Sequence, residues 1–593
     1  MSQELLEYVL AKKHHAFREE YTEPLAKIYS EAKMSPVERM ADRFERLTKA
    51  EKPHILPDEK ICFVRTVKNI PDCFTEDEWK EIRSKHFIHE LGYISNLSPD
   101  YEKAISNGLL SLREGADEYG KRAIDNIIAL ADRYREEALK VGREDIAKVL
   151  ERVPRYGATS FREALQMFRI IHFSLWLEGN YHNTTGRFDK YMYPYFKADL
   201  DKGVITREFA QELMDCIWIK LNDLNKVRDA ASSEGFAGYS LFQNLIAGGQ
   251  TKDGEDATND LSFMCINATL HVLLPQPSFS IRVWNKSPHD FLLRAAEVTR
   301  TGVGLPAYYN DEVIIPALMS RGVTLEDARE YNIIGCVEPQ KAGKTWGWHD
   351  AAFFNMCRPL ELVFSNGMDE GEQVGLRTGD VGEFDTFEKF FDAYKKQMKY
   401  MISLLVNADN AIDMAHAERC PLPYLSSMVE DCIGRGKTPE QGGAIYNFTG
   451  PQGFGIANIA DSLYAIKTLV YDQKKFSLSE LKEALAHNFG KDASAETVKA
   501  VTEQVASALA TKGQTVTEAE VKQIYESVSR TLNTADSARY NEIRESILAI
   551  DKFGNDVPEV DELAREAAYT YTKPLEAYKN PRGGIFQAGL YPV

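Results

Sequence analysis

The octapeptide IIGCVEPQ, residues 333–340, sets one thiol, Cys336, two residues before one carboxylate, Glu338, with a glycine ahead of the sulfur and a proline behind the acid. In an extended chain, residues i and i+2 share a face, so the two side chains point the same way from Cα atoms roughly 6.5 Å apart. A small molecule fits between them. The sulfur then acts on one atom while the carboxylate takes a proton from the next, and Gly335 and Pro339 shape a turn that projects both. The competing reading is a buried cysteine beside a surface acid.

The residues that follow favour chemistry. In KTWGWHDAAFFN, Trp346, Trp348, His349 and Asp350 supply aromatic walls and titratable groups of the kind that line small-molecule pockets. A His-Asp dipeptide serves equally as an internal pair or as an acid for a departing group.

The elements that must hold these residues are legible as alternating helix and strand. Thr75 with Glu78, and Ser477 with Glu480, are capping-box pairs, and Leu478, Leu481, Leu485 and Phe489 recur at helical spacing before Gly490. TLEDAREY reads as a short helix with Thr324 and Asp327 at its start. The runs SLFQNLIAGG, QPSFSIRVW, VGLPAYYN and YNIIGCVE suit buried strands, and their alternation with helices indicates an α/β architecture.

No linker or fixed repeat divides the 593 residues, which favours one large domain: a mainly helical part to about 160, a barrel core over 161–490 and a closing part over 534–593. Between them, 491–533 is rich in Ala, Thr, Glu and Val and reads as two amphipathic surface helices joined at TKGQT, an insertion.

A formal charge of −18 argues against a nucleic-acid binder, and no run approaches the roughly 18 apolar residues of a membrane span. The charged start lacks the apolar core of an export signal, so a cytoplasmic location is expected. Eight cysteines without a CxxC pair withdraw support from structural zinc and from a redox dithiol. GPQGFG, 450–455, lacks the lysine and Ser/Thr of a phosphate loop and reads as tight backbone.

Residues 304–355, GLPAYYNDEVIIPALMSRGVTLEDAREYNIIGCVEPQKAGKTWGWHDAAFFN, resemble the active-site Cys loop of the glycyl radical enzymes, in the dehydratase and carbon-heteroatom lyase branch that carries Gly-Cys-Val-Glu. GRFDKYMYPYF (186–196), FQNLIAGGQ (242–250), GGAIYNFTGPQGFGIANIADSLYAIK (442–467) and NPRGGIFQAGLYPV (580–593) are similar to further family blocks in the same order, so the resemblance covers nearly all of the chain outside the insertion. It implies a ten-stranded α/β barrel with helices outside and the Cys loop inside.

It also implies roles. A radical stored on a glycine passes to Cys336, whose thiyl removes a hydrogen atom from a substrate carbon; Glu338 deprotonates the adjoining hydroxyl, and the ketyl-type radical expels a β leaving group. Asp350 stands where a substrate-contacting aspartate is expected. His182 and Asn183, in NYHNTTGR, stand where a His-Ser pair lines the pocket, and Ser240 and Phe242 fall in the next substrate-facing block. Substrates of the branch are small hydroxylated compounds: a vicinal diol, 4-hydroxyproline, choline or a hydroxysulfonate. Water is the first expected leaving group, then amine or sulfite. Arg187 is a candidate partner for a charged substrate.

Two departures stand out. Asn96 occupies the place before DYEK where the family often has histidine. The radical motif Arg-Val-x-Gly-Tyr is nowhere in the chain: FAGYS, 236–240, has a Gly-Tyr pair without the arginine. The sequence is therefore a fragment, or the large subunit of a two-component enzyme whose radical protein docks on an apolar edge near 580–593. The two-component reading implies no cofactor bound to this chain, a separate small glycyl radical subunit and a radical S-adenosylmethionine activase, with a homodimer left open. The rivals are an inactive relative serving as a scaffold and an enzyme using Cys336 as an ordinary nucleophile, for which Glu338 is a poor substitute for an activating imidazole.

Overall fold

The computed structural model describes residues 3–86, 97–180, 182–224, 241–348, 351–490, 495–511, 516–532 and 537–591. The helix starts follow the sequence signals. Glu78 and Thr75 exchange backbone and side-chain bonds ahead of the helix Glu76–His86, Ser477 and Glu480 do so at Leu478–Ala486, and the Thr324 hydroxyl accepts from the Asp327 N–H at Leu325–Arg329. Two helices, Ala495–Thr511 and Glu518–Leu532, occupy the insertion.

The chain divides into two compact units. The first comprises Met1–Ala352, Asn407–Pro451 and Ala577–Gln587. Its three parallel strands, β1 (Asn244–Gly248), β2 (Ser278–Val283) and β3 (Ala307–Asn310), are joined by the helices Asp260–Val272 and His289–Thr299. Such crossovers are how parallel strands must be connected, and the apolar content of the first two sequence runs reflects burial on both faces, whereas β3, expected to be buried as well, lies at the sheet edge with Tyr308 exposed. Leu245, Ala247, Phe279 and Ile281 join the main core, whereas Ile246 points the other way, to Tyr331, Ile333 and Phe448.

That second face receives a two-stranded antiparallel hairpin, β4 (Tyr331–Ile334) and β5 (Glu338–Lys341), registered Ile334 to Glu338 and Asn332 to Gln340. β6 (Thr345–Trp348) and, much later in the chain, β12 (Ile585–Phe586) flank β10 (Tyr446–Thr449), all parallel. Arg582 ties this group together: its guanidinium meets the buried Asp413 carboxylate at 2.9 Å and donates to the carbonyls of Phe448 and Trp346. Gly584 lies so close to β10 that an added Cβ would overlap the Asn447 carbonyl oxygen at 1.4 Å.

The second unit comprises Phe353–Val406, Gln452–Glu576 and Ala588–Val593. It contains a small hairpin, β8 (Met368–Asp369) with β9 (Glu372–Gln373), and a parallel sheet in the order β13–β11–β7, formed by Gly589–Tyr591, Gln452–Phe454 and Phe353–Asn355. Phe353, Phe454 and Tyr591 make a row of ring contacts across it, with centroids 5.1 and 4.9 Å apart. Among the described residues, no helix is long and apolar enough to cross a membrane.

Candidate active site

Cys336 sits at the tip of the β4–β5 hairpin, in the turn Gly335–Val337, and is half-buried. The extended conformation expected for Gly-Cys-Val-Glu is therefore replaced by a three-residue turn, and alternation along a strand is not what unites thiol and acid. A hydrogen bond does so. One carboxylate oxygen of Glu338, a residue 6 % exposed, accepts the backbone N–H of Cys336 at 3.0 Å and that of Val337 at 2.9 Å. The local reason is the register: Ile334 and Glu338 close the ladder, so the acid stands at the foot of the turn and folds over its N–H groups.

Gly335 makes that closure possible. Its φ of +56° belongs to the left-handed region, and a Cβ there would lie 3.1 Å from the Glu338 carboxylate and 3.8 Å from His182 Nδ1. The same measurement places His182 and Glu338 both beside the glycine. The turn is further fixed by Tyr309 on β3, whose hydroxyl donates to the Cys336 carbonyl at 2.6 Å, and by Thr184, whose hydroxyl accepts from Gly335 N–H at 3.3 Å.

The segment carrying His182 runs beside β1: Thr185 N–H donates to the Asn244 carbonyl, and Gly186 bridges to Leu245. His182 is buried with φ +44°, and Phe242, at φ +51°, sets its ring edge-on to the imidazole at 4.9 Å. Two non-glycine residues in this sparsely allowed region, in contact beside the turn, are local strain concentrated where a site is expected. Asn183 is wholly buried, and neither of its amide atoms has a hydrogen-bond partner among the described residues.

The structure thus brings together Cys336, Glu338, His182 and Phe242, with Asn183 adjoining. Asp350 and Ser240, with Asn96, His349 and FAGYS, lie outside the described residues. Arg187 is engaged within the protein: its guanidinium donates to the carbonyls of Gly248 and Gln250 and pairs with Glu330 at 3.0 Å, and Lys190 holds the other Glu330 oxygen. Sequence reading missed Tyr309, Thr184 and Asn332. Tyr309 and Asn332 were visible only as members of strand-like runs, and nothing local marked Thr184.

A family model described as pyruvate formate lyase-like matches residues 65–593. The trans-4-hydroxy-L-proline dehydratase of Clostridioides difficile is 35 % identical over 69 % of this chain and 52 % of its own length. The (2S)-3-sulfopropanediol dehydratase of Klebsiella oxytoca is 30 % identical over 83 % of this chain and 54 % of its own. The chain spans about half the length of these curated relatives. A structure describing 1,2-propanediol dehydration in Roseburia inulinivorans is 46 % identical, with a TM-score of 0.86 over 99 % of this chain and 81 % of that one. The glycerol-bound B12-independent glycerol dehydratase from Clostridium butyricum is 37 % identical, with a TM-score of 0.82 over 99 % and 80 %. The α/β barrel expected from the sequence is the fold shared with these glycyl radical enzymes.

Proposed function

Because the chain belongs to the pyruvate formate lyase-like family, we propose that it is the substrate-binding part of a glycyl radical dehydratase that removes water from a small neutral 1,2-diol. The observation that carries this reading is the closure of the Glu338 carboxylate onto the Cys336 N–H. It holds a base next to the sulfur.

The unpaired electron delivered to Cys336 by a glycyl radical protein supplies hydrogen-atom abstraction from carbon; the remaining work belongs to this chain. Two backbone N–H bonds to one oxygen fix the Glu338 carboxylate at the turn, in position to take the proton of the substrate hydroxyl. His182 is placed to contact a substrate hydroxyl, with Phe242 against its ring. The proton lost to Glu338 balances the one that the departing hydroxyl needs to leave as water, so the elimination consumes no external acid. Asp350, Ser240 and Asn183 complete the proposed set of substrate contacts.

Support for a neutral substrate comes from the lining. Apart from Glu338 and the proposed contact Asp350, the residues around the turn, His182, Asn183, Thr184 and Phe242, carry no fixed charge, and Arg187 pairs with Glu330. A charged substrate in a dry cavity needs paired charges. The 46 % identical structure of 1,2-propanediol dehydration agrees with this choice.

The two-component arrangement is supported by the second unit. β13 and β7 are the two opposite edge strands of that sheet among the described residues, and each exposes an apolar side chain, Leu590 at 39 % and Phe353 at 58 %. Such an apolar edge suits the docking of a glycyl radical protein. Product formation from 1,2-propanediol under anaerobic conditions, with and without an added glycyl radical protein and its S-adenosylmethionine-dependent activase, tests the proposal. Turnover by this chain alone would refute it.

A further inference from the structure

Asn332 is fully buried on β4, and among the described residues both atoms of its amide lack a hydrogen-bond partner. Asn183 has the same two properties. Buried amides left wholly unpaired are rare, because polar groups removed from water are normally satisfied by protein, ordered water or a ligand. Two such amides near one thiol-acid pair call for a common occupant.

Their placement connects them. Asn332 lies directly across from Gln340, two ladder steps from the Ile334–Glu338 pair, and on the same face of the hairpin as both. Diagonal neighbours of that kind have Cα atoms roughly 7–8 Å apart, so a ligand of a few heavy atoms reaches from Glu338 to Asn332. The Asn332 Nδ2 looks toward the segment that carries Asn183: a Cβ added at Gly186 would come within 3.9 Å of it, and within 2.9 Å of Ser98 Oγ. Gly186, at φ +71°, keeps that space clear.

We propose that Asn332 is a substrate-binding residue, whose amide, together with that of Asn183, holds the hydroxyl farther from the carbon that loses hydrogen. The inference rests on the diol reading above and extends it to a residue without an assigned role. The chemistry fits a hydroxyl. An amide offers both donor and acceptor, and a hydroxyl answers with one donor and two acceptor sites. Neither amide carries charge, so a carboxylate, sulfonate or ammonium group at this end would stay uncompensated.

The test is a ligand-observed NMR titration of the full chain with 1,2-propanediol and glycerol, run beside thermal unfolding, on wild type, Asn332→Leu and Asn332→Ala. Leucine nearly conserves volume and removes the unpaired groups, so Asn332→Leu is expected to unfold at or above the wild-type midpoint while binding diol about tenfold more weakly. That opposition, stability kept and affinity lost, marks a functional amide. A folded Asn332→Leu or Asn332→Ala chain that binds diol as tightly as wild type overturns the proposal. If wild type prefers trans-4-hydroxyproline, choline or isethionate to either diol, the diol reading fails, and Asn332 is judged on the preferred compound by the same comparison. A wild-type chain that binds none of these compounds overturns both.

Discussion

The carboxylate of Glu338 caps the peptide N–H of Cys336, two residues earlier, at 3.0 Å. The proposed base and the residue carrying the proposed hydrogen-transfer sulfur are thus locked by one short-range contact rather than by two independent scaffolds. Replacing Glu338 by Gln keeps an oxygen acceptor for the turn and removes the base. The expected outcome is an unfolding midpoint close to wild type and a reconstituted turnover lower by about 10²–10⁴, the usual yield of a positioned general base. A midpoint drop matching that of Glu338→Ala, with turnover preserved, would reduce the acid to a structural cap.

Gly335 lies against that carboxylate and beside the His182 imidazole. Gly335→Ala forces a Cβ to within 3.1 Å of the acid and strains a φ of +56°. A loss of about 1–2 kcal/mol in denaturant unfolding is expected, together with a collapse of activity beyond what the lost stability explains. Equal activity in the alanine variant would show that the turn tolerates displacement.

Arg582 is nearly inaccessible and pairs with Asp413 while donating to the carbonyls of Trp346 and Phe448. Arg582→Met leaves Asp413 as a buried, unpaired carboxylate. The expected cost is about 3–5 kcal/mol, read from denaturant unfolding. The double variant Arg582→Met/Asp413→Leu should recover most of it.

Asp409, 2 % exposed, has its carboxyl pushed up to about 8 by burial and by the neighbouring Asp413 charge. The unfolded chain ionises at the ordinary aspartate value, so the folded state binds the extra proton across the window from about pH 4 to about pH 8. Its contribution is complete below that window and is lost as pH rises through it. Stability should therefore fall on going from pH 5.5 to pH 8, by up to about 1.4 kcal/mol per pH unit for this group. Asp409→Asn should flatten that part of the profile. An unchanged slope in the variant would assign the pH dependence elsewhere, with Glu178 and Glu440, raised by burial to about 7 and 8, next in line.

Much of this was readable because its causes are local. The runs around Leu245 and Phe279 show their burial in their own composition, whereas the run around Tyr308, also read as buried, forms a strand whose Tyr308 is 45 % exposed, and the Thr75–Glu78 and Ser477–Glu480 pairs announce helix starts within four residues. The nearness of Cys336 and Glu338 was legible too, for an incorrect reason: the chain was read as extended there, and only the Ile334–Glu338 register shows that it turns. Contacts across long separations left no trace. Arg187 read as a free charge because Glu330, 143 residues away, gives no sign in the sequence that it will claim the guanidinium. The unpaired amides of Asn183 and Asn332 were equally hidden, since lacking a partner is a property of the folded neighbourhood alone.

The central claim is that hydrogen transfer runs through the Cys336 sulfur with Glu338 as its base. It is tested most directly by anaerobic turnover of 1,2-propanediol in the presence of a glycyl radical protein and its activase, comparing wild type with Cys336→Ser at matched folded concentration. The account predicts aldehyde and water from wild type only, with none from the serine variant or from wild type lacking the radical protein. Product from Cys336→Ser, or from the unaided chain, would contradict it.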